Sequence, residues 1–253
     1  VFREVKRVLR DDGTLWLNLG DSFADKNLVG IPWRVAFALQ ADGWYLRSDI
    51  IWSKPNPMPE SVTDRPTKSH EYVFLLTKQA RYFYDADAIR EVAAYPNDDR
   101  GVRSDSRRSV PGANCINPGY GKTSTHRNRR TVWEIATQPM PDAHFATFPE
   151  ALVEPCIKAG TSARGACPKC GAPWRRVVER LPVTGRNENK TPAAAHAAVK
   201  CSRAGESHVK TVGWQPGCQC AIDHTVPCSV LDPFGGSGTV AKVARDLGRS
   251  SIL

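Results

Sequence analysis

Long apolar runs, secretory features and internal repeats are all missing from this sequence of 253 residues. Apolar stretches such as 35–39 and 73–76 are far shorter than the ~20 residues that a membrane-spanning helix needs, which argues against an integral membrane protein. The chain starts at Val1 with the pattern of the middle of a helix, not with a secretory signal, so we expect a piece of a longer protein. The length fits one large domain or two small ones, and 41% hydrophobic and 24% charged residues are typical of a globular protein.

Positive charge is concentrated in two segments of the chain. The sequence has 35 Lys and Arg against 26 Asp and Glu, which gives a net charge of +9. Residues 96–130 contain 8 basic and 3 acidic side chains and residues 158–210 contain 11 and 3, so the remainder is mildly acidic. Each Lys or Arg that neutralises a phosphate releases a counterion, so this pattern favours DNA or RNA as a partner. A basic surface that serves only solubility is the alternative.

The order of predicted strands and helices favours an α/β fold. Apolar residues alternate or run continuously in the predicted strands, and they recur with helical spacing between them. Near-continuous apolar strands that alternate with helices are typical of a mostly parallel, doubly wound sheet. The predicted helices cover 2–9, 32–41 (ending at Gly43), 85–92, 149–159 and a segment capped by Gly248. The predicted strands cover 14–21, 45–52, 70–78, 81–85, 131–137 and the residues on either side of the last helix.

A glycine loop near the end of the chain is the strongest local motif. A predicted strand leads to Asp232, the glycines at 235, 236 and 238 allow a tight turn against a ligand, and a helix follows at once. A Walker phosphate loop would need a lysine before Thr239, and none is present. A dinucleotide pattern G-x-G-x-x-A can be traced through Gly236, Gly238 and Ala241. A strand-to-helix turn without a ligand is the third interpretation.

Six sequence blocks, in order, resemble the DNA amino-methyltransferases that modify adenine N6 or cytosine N4. The resemblance is to the subgroup in which the cofactor half follows the catalytic half. The blocks are R-V-L-x-x-x-G at 7–13, W-x-N-x-G-D at 16–21, D-I-I-W-x-K-x-N-x-x-P at 49–59, R-P-T-x-x-H-E-Y at 65–72, H-F-A-T-F-P at 144–149 and L-D-P-F-x-G-S-G-T at 231–239.

This resemblance implies a Rossmann-like, S-adenosylmethionine-dependent methyltransferase sheet with circularly permuted motif order. The implied activity is methyl transfer to cytosine N4 or adenine N6 of a base flipped out of double-stranded DNA. The implied partners are duplex DNA and a cognate restriction endonuclease, and no association with a membrane is expected. The resemblance also implies a bacterial or phage-encoded protein that acts in the cytoplasm. The implied cofactor residues are Asp232, Phe234, Gly235, Gly236, Ser237, Gly238, Thr239, Phe145 and Phe148. For the two phenylalanines at 145 and 148, the alternative is an ordinary core position before a helix capped by Thr147.

The catalytic motif of the family, D/N/S-P-P-Y/F/W, is missing, because the sequence contains no Pro-Pro dipeptide. In this subgroup the motif precedes the helix that opens the chain, so we expect it upstream of Val1 and expect the chain as given to be inactive. The acidic residue that would bind the ribose is likewise expected after Leu253. Asn18 and Asp21 are either functional or ordinary strand-end residues. Lys54, Asn56, His70 and Glu71 lie in blocks that face the substrate in the family, with roles that the sequence does not assign.

Cys167-x-x-Cys170 followed by glycine, together with Cys218-x-Cys220, has the spacing of a structural zinc site. Cys201, Cys228 or His224 could replace one ligand of the second pair. Disulfides are disfavoured for an intracellular enzyme, and a thioredoxin-like site is disfavoured by the turn residues that follow Cys170. Four unpaired thiols are the alternative. A zinc-folded lobe that touches DNA phosphates is a further hypothesis, based on the charge of 158–210.

These observations predict an α/β fold with a zinc-ribbon-like insertion. A non-catalytic zinc module that binds nucleic acid and an NADP-linked oxidoreductase are the rival functions. The predicted segments are the truncated catalytic half (1–95), a target-recognition region (96–130), the return to the core with a cofactor-side helix (131–160), the cysteine-rich insertion (161–227) and the cofactor-binding strand, loop and helix (228–253).

Overall fold

The computed structural model describes residues 1–92, 126–138, 148–182 and 207–253. Four α-helices lie in these ranges, α1 (Phe2–Val8), α2 (Ile31–Ala41), α3 (Glu150–Gly160) and α4 (Thr239–Asp246), with a 3-10 helix at Ala86–Ile89. The strands are β1 (Thr14–Leu19), β2 (Phe23–Ala24), β3 (Asn27–Leu28), β4 (Tyr45–Ser53), β5 (His70–Thr77), β6 (Glu91–Val92), β7 (His126–Arg127), β8 (Val132–Glu134), β9 (Arg175–Pro182), β10 (Ser207–Gln215), β11 (Ser229–Leu231) and β12 (Ser250–Ile252).

The chain forms two compact units. The first unit comprises 1–89, 130–175 and 214–253, and the second comprises 90–129 and 176–213. In the second unit, β6 pairs with β7 and β9 pairs with β10. The ends of the predicted insertion, which include the four candidate zinc ligands, therefore belong to the first unit.

The main sheet of the first unit has the strand order β1-β5-β4-β8. β5 runs antiparallel to both β1 and β4, whereas β8 runs parallel to β4. Consequently β1, β4 and β8 point the same way, and the start of β5 lies at their carboxyl ends. The expectation of a mostly parallel sheet holds for β1, β4 and β8 and is wrong for β5, because a strand buried on both faces has the same apolar sequence in either direction.

Helices cover both faces of this sheet. On one face, Ala36 and Leu39 of α2 pack with Phe74 and Leu76 of β5 in one buried cluster. On the other face, Leu152 of α3 packs in a second cluster with Ile50 and Trp52 of β4, Val73 of β5 and Trp133 of β8. The alternation of Val73 and Phe74 between the two clusters follows from the period of two along a strand.

The end of the chain forms a parallel β11-α4-β12 unit. Val243 and Ala244 of α4 are buried against Val153 and Ile157 of α3, so α3 joins this unit to the main sheet. α4 and β12 are separated by Gly248, whose φ of 73° supports the predicted helix end.

Three local predictions differ from the structure. Residues 81–85 do not form a strand, because Phe83 and Asp85 make single backbone hydrogen bonds to Asp12 and Ala159 and not a ladder. The predicted helix over 85–92 is a short 3-10 helix followed by β6. The predicted strand over 131–137 contains only the three residues of β8.

Among the helices of the described ranges, none has the length and apolarity needed to cross a bilayer.

Candidate active site and cysteine cluster

The carboxyl ends of β1, β4 and β8 form one edge of the main sheet, and most of the predicted substrate-side residues lie there. Asp21 follows β1, Lys54 and Asn56 follow β4, and His70 and Glu71 begin the antiparallel β5. In open α/β sheets, ligands bind outside the carboxyl ends of the strands. The sequence blocks are therefore gathered at the edge where a ligand is expected.

The glycine loop after β11 lies at this same end of the first unit. Both β1 and β11 begin beside the end of α3, since a methyl group on Gly160 would lie 2.5 Å from Thr14 Oγ1 and Cys228 Sγ donates to Ser162 O at 3.8 Å. At the other end of α3, Lys242 of α4 forms an ion pair with Glu150 at 2.7 Å. The carboxyl end of β11 is therefore on the side of the carboxyl ends of β1 and β4.

Local hydrogen bonds shape the glycine loop. Asp232 Oδ1 accepts the Phe234 N–H at 3.0 Å, and Gly238 N donates to Gly235 O at 2.8 Å. Gly236 and Gly238 have φ angles of 49° and 75°, which L-residues with a side chain rarely adopt. Seven predicted cofactor residues, 232 and 234–239, are thus held in one turn.

This turn fits the carboxylate end of an amino-acid-like ligand. Gly238 is the N-cap of α4, and no side-chain hydrogen bond caps this helix in the described chain. A Cβ on Gly238 would meet nothing within 4 Å, so the space in front of the first turn is open. The first N–H groups of a helix have no partner within it and favour an anion. Ser237 Oγ and Thr239 Oγ1, which lie 3.0 Å apart, add hydroxyl groups at the same place.

The predicted aromatic residues have different positions. Phe234 is 63% exposed, and its ring lies 6.4 Å from that of Phe2. Phe148 packs against the cluster between α3 and the main sheet and against the cluster between α3 and α4. This position agrees with the alternative interpretation of Phe148 as a core residue. The N-cap of α3 is Pro149, with no side-chain cap hydrogen bond among the described residues, and the predicted cap Thr147 lies outside them. Phe145 lies outside the described residues.

Asn18 and Asp21 have structural partners. Asn18 Nδ2 donates to Tyr72 O at 3.1 Å, which links β1 to β5. Asp21 Oδ1 accepts the N–H groups of Ser22, Gly30 and Ile31 at 2.9 to 3.0 Å. Partial burial raises the pKa of Asp21, but these N–H donors and the charge of Lys68 lower it, and the net pKa is below the ordinary value. Both side chains therefore hold the edge of the sheet in shape.

The Lys54 and Glu71 side chains form an ion pair at 2.5 Å, and Lys54 Nζ also lies 4.4 Å from the centre of the Trp52 ring. Asn56 Oδ1 accepts the Thr137 N–H at 2.9 Å, which fixes the proline-rich segment after β4 to the segment after β8. These contacts place one charge pair and one amide at the carboxyl edge.

Four cysteines form a compact cluster at the opposite end of the unit. Among the residues that the structure describes, Cys167, Cys170, Cys218 and Cys220 are the group whose geometry suits a metal, with all Sγ atoms within 4.8 Å of one another. Cys228 is instead buried beside Ser162, and the exposed His224 contacts Asp223. Neither joins the cluster, and Cys201 lies outside the described residues.

Hydrogen bonding divides the cluster into unlike thiols. Backbone N–H groups of Cys170 and Lys169 outweigh burial and lower the pKa of Cys167 to about 7. The thiols of Cys170 and Cys218, together with burial, raise the pKa of Cys220 to about 12. Cys167 therefore ionises more readily than Cys220.

Arg10 is a contact residue that was not among the predicted site residues. Its guanidinium donates through Nη1 to Cys170 O at 2.5 Å and through Nε to Asp12 Oδ1 at 2.9 Å. These bonds fix the first cysteine turn to the connection between α1 and β1. No local pattern could have indicated a contact between positions so far apart in the sequence.

Comparison with solved structures identifies the fold. The PvuII DNA methyltransferase (cytosine-N4-specific) matches with a TM-score of 0.55 at 14% identity, over 98% of this chain and 61% of that chain. The protein therefore has an α/β methyltransferase fold. A family model described as DNA methylase matches residues 1–167, and the chain belongs to this DNA methylase family.

Curated relatives agree with this assignment. The Type II methyltransferase M.SmaI of Serratia marcescens is 44% identical over 194 residues, which are 65% of this chain and 58% of that protein. The Type II methyltransferase M.Cfr9I of Citrobacter freundii is 45% identical over 190 residues, 64% of this chain and 54% of that protein. The chain spans a little over half the length of these relatives. The resemblance of the six blocks to DNA amino-methyltransferases is thus confirmed at the level of the family.

Proposed function

We propose that this chain is the cofactor-binding and DNA-facing part of a Type II DNA methyltransferase. The proposed reaction transfers a methyl group from S-adenosylmethionine to cytosine N4 or adenine N6 of a base flipped out of duplex DNA. The observation that carries the proposal is the glycine loop, whose open helix start lies at the carboxyl edge of a sheet with the methyltransferase fold.

The residues of the loop have distinct roles in this proposal. The first N–H groups of α4 and the hydroxyl groups of Ser237 and Thr239 bind the cofactor's carboxylate. Asp232 holds the turn through the Phe234 N–H, and the exposed Phe234 ring supplies an apolar surface for the cofactor. The family resemblance implies that Phe145 and Phe148 flank the cofactor, and Phe148, which packs against the core, is only partly buried. When bound, the cofactor supplies a methyl group that is electrophilic because it is attached to a sulfonium.

The acceptor half of the reaction needs residues that this sequence lacks. An exocyclic amino group is a poor nucleophile, since its lone pair is delocalised into the base, and positioning must supply much of the acceleration. In the family the D/N/S-P-P-Y/F/W motif does this, and the present sequence has no Pro-Pro dipeptide. We therefore propose that this chain by itself binds cofactor and DNA without transferring a methyl group.

The proposed setting is a bacterial or phage restriction–modification system in the cytoplasm, with a restriction endonuclease of the same specificity as partner. The family assignment and the Type II relatives support the restriction–modification part of this proposal.

Isothermal titration calorimetry tests which cofactor the chain binds. We expect the chain to release heat with S-adenosylmethionine and none with NADP(H). Heat with NADP(H) alone would support the oxidoreductase, and a folded chain with no heat for either would support a non-catalytic binding module.

Labelled methyl transfer to duplex DNA tests the activity. We expect transfer by a longer gene product that contains both this chain and a D/N/S-P-P-Y/F/W segment, and none by the chain alone. Hydrolysis of the labelled DNA to nucleosides then identifies N4-methylcytosine or N6-methyladenine. A folded, cofactor-binding longer product that methylates no duplex would contradict the proposed reaction.

A further inference from the structure

The four clustered thiols lie on two turns that pack closely together. In the first turn, Cys167 N donates to Ala172 O at 2.9 Å and Gly171 N donates to Cys167 O at 2.7 Å, with Gly171 at a φ of 70°. The second turn approaches so closely that a Cβ on Gly217 would lie 2.2 Å from Pro173 O. The two segments each bring two thiols to one centre, with Gly217 at the point of closest approach.

The size of the cluster matches a tetrahedral metal site. Zinc–sulfur bonds of about 2.3 Å in a tetrahedron separate the sulfur atoms by about 3.8 Å. The four Sγ atoms already lie within 4.8 Å of one another, so each need move only a fraction of an ångström to surround one ion. Six cysteines of the described chain form no disulfide, and these four are the ones that converge.

We propose that Cys167, Cys170, Cys218 and Cys220 bind one Zn²⁺ in a closed, structural tetrathiolate site. Four sulfur ligands suit Zn²⁺ and leave no open coordination position for a substrate or water. The site also lies away from the glycine loop, because Arg10, which binds Cys170 O, precedes the amino end of β1. The ion therefore has no place in the methyl-transfer chemistry.

The zinc ion joins segments that are distant in the sequence but adjacent in the first unit. The first pair of ligands precedes β9 and the second pair follows β10, so the ion fixes both ends of the excursion between them. Past the second pair, Val226 exchanges backbone hydrogen bonds of 2.8 and 2.9 Å with Ala166, and β11 begins three residues later. Zinc thus holds the chain in register where it enters the strand that carries the glycine loop.

Metal analysis of the full chain, purified under reducing conditions without chelator, tests the proposal. We expect about one zinc per chain by plasma mass spectrometry and a shell of about four sulfur atoms at about 2.3 Å in the X-ray absorption spectrum. Cobalt exchanged into the site should give the absorption of tetrahedral Co²⁺ thiolate. Folded protein without bound metal would overturn the proposal, and iron in place of zinc would overturn the identity of the ion.

Thiol counting gives a second measurement that does not depend on a variant. The sequence has eight cysteines, and four of them are in the cluster. In the folded, metal-loaded chain, a thiol reagent should react with no more than four cysteines. Release of the metal by a chelator should make the four cysteines of the cluster reactive as well. Equal thiol counts before and after chelation would contradict the proposal.

Single substitutions assign the ligands. Cys170→Ser should abolish stoichiometric zinc, whereas the matched control Cys156→Ser should retain it, because Cys156 lies on α3 and its thiol contacts Leu152 O at 3.3 Å. In the wild type, removal of the ion by a chelator should also make the segment 216–227 susceptible to limited proteolysis. Full zinc content in folded Cys170→Ser would remove this residue from the site.

Discussion

At the scale of single residues, two glycines at opposite ends of α4 provide a test of the loop. Gly238 and Gly248 have φ angles of 75° and 73°, and a Cβ on either would meet nothing within 4 Å. An alanine at either position therefore experiences the same backbone strain and no collision. Only Gly238, however, lies at the helix start, where the cofactor is expected.

We predict that Gly238→Ala and Gly248→Ala each lower the free energy of unfolding by about 1 kcal/mol, the cost of a left-handed L-residue. Gly238→Ala should also weaken S-adenosylmethionine binding by about tenfold, since its methyl group blocks the amides that receive the carboxylate. Urea denaturation and calorimetry measure the two effects. Equal cofactor affinity in the two variants would mean that the ligand does not bind at the start of α4.

At the scale of secondary-structure elements, Asp21 organises the connection between β1 and α2. Its Oδ1 atom accepts N–H groups from both sides of the β2–β3 hairpin, including Ile31 at the first turn of α2. The residue at the N-cap, Gly30, has no side chain, so Asp21 supplies the acceptor that a capping residue would normally provide.

We predict that Asp21→Asn lowers the free energy of unfolding by about 1 kcal/mol at neutral pH, because a neutral amide oxygen accepts these bonds less strongly. The pKa of Asp21 is lowered in the folded state, so the carboxylate contributes stability above its unfolded pKa of about 3.9, and this contribution disappears as the pH falls through the folded value. The difference between variant and wild type should therefore shrink below about pH 4. Urea titrations at several pH values measure it, with the exposed Asp49→Asn as control. A difference that does not change with pH would show that charge has no part in this contact.

The secondary-structure elements differ in how far their sequences determine them. Helix α2 and strands β1, β4 and β5 were predictable because each has a long apolar pattern of its own. The direction of β5 was not, since a continuous apolar strand carries no mark of its orientation. Residues 81–85 have a strand-like composition but find only isolated backbone partners. The glycine loop and the cysteine pairs were predictable from spacing, whereas the Arg10 contact depends on the folded chain.

At the scale of the whole molecule, positive charge is concentrated in the two basic segments 96–130 and 158–210. The basic residues of 96–130 and 158–210 exceed the acidic ones by more than the net charge of +9. Several of these residues, such as Lys169, Arg175 and Lys210, are exposed in the structure. The basic residues of α1 are different, because Arg3 and Arg7 are paired with Asp42 and Glu4.

This contrast predicts which charges contact DNA. If Lys169, Arg175 and Lys210 each neutralise a phosphate, changing all three to alanine should reduce the slope of log affinity against log salt by about 2 to 3, since each contact contributes about 0.9. Arg3→Ala with Arg7→Ala should leave the slope nearly unchanged, because these guanidinium groups already have carboxylate partners. Fluorescence anisotropy with a labelled duplex across a range of salt concentrations measures both slopes. An unchanged slope in the triple variant would mean that the basic charge of these exposed residues serves solubility, and the DNA contact would then have to come from other parts of the chain.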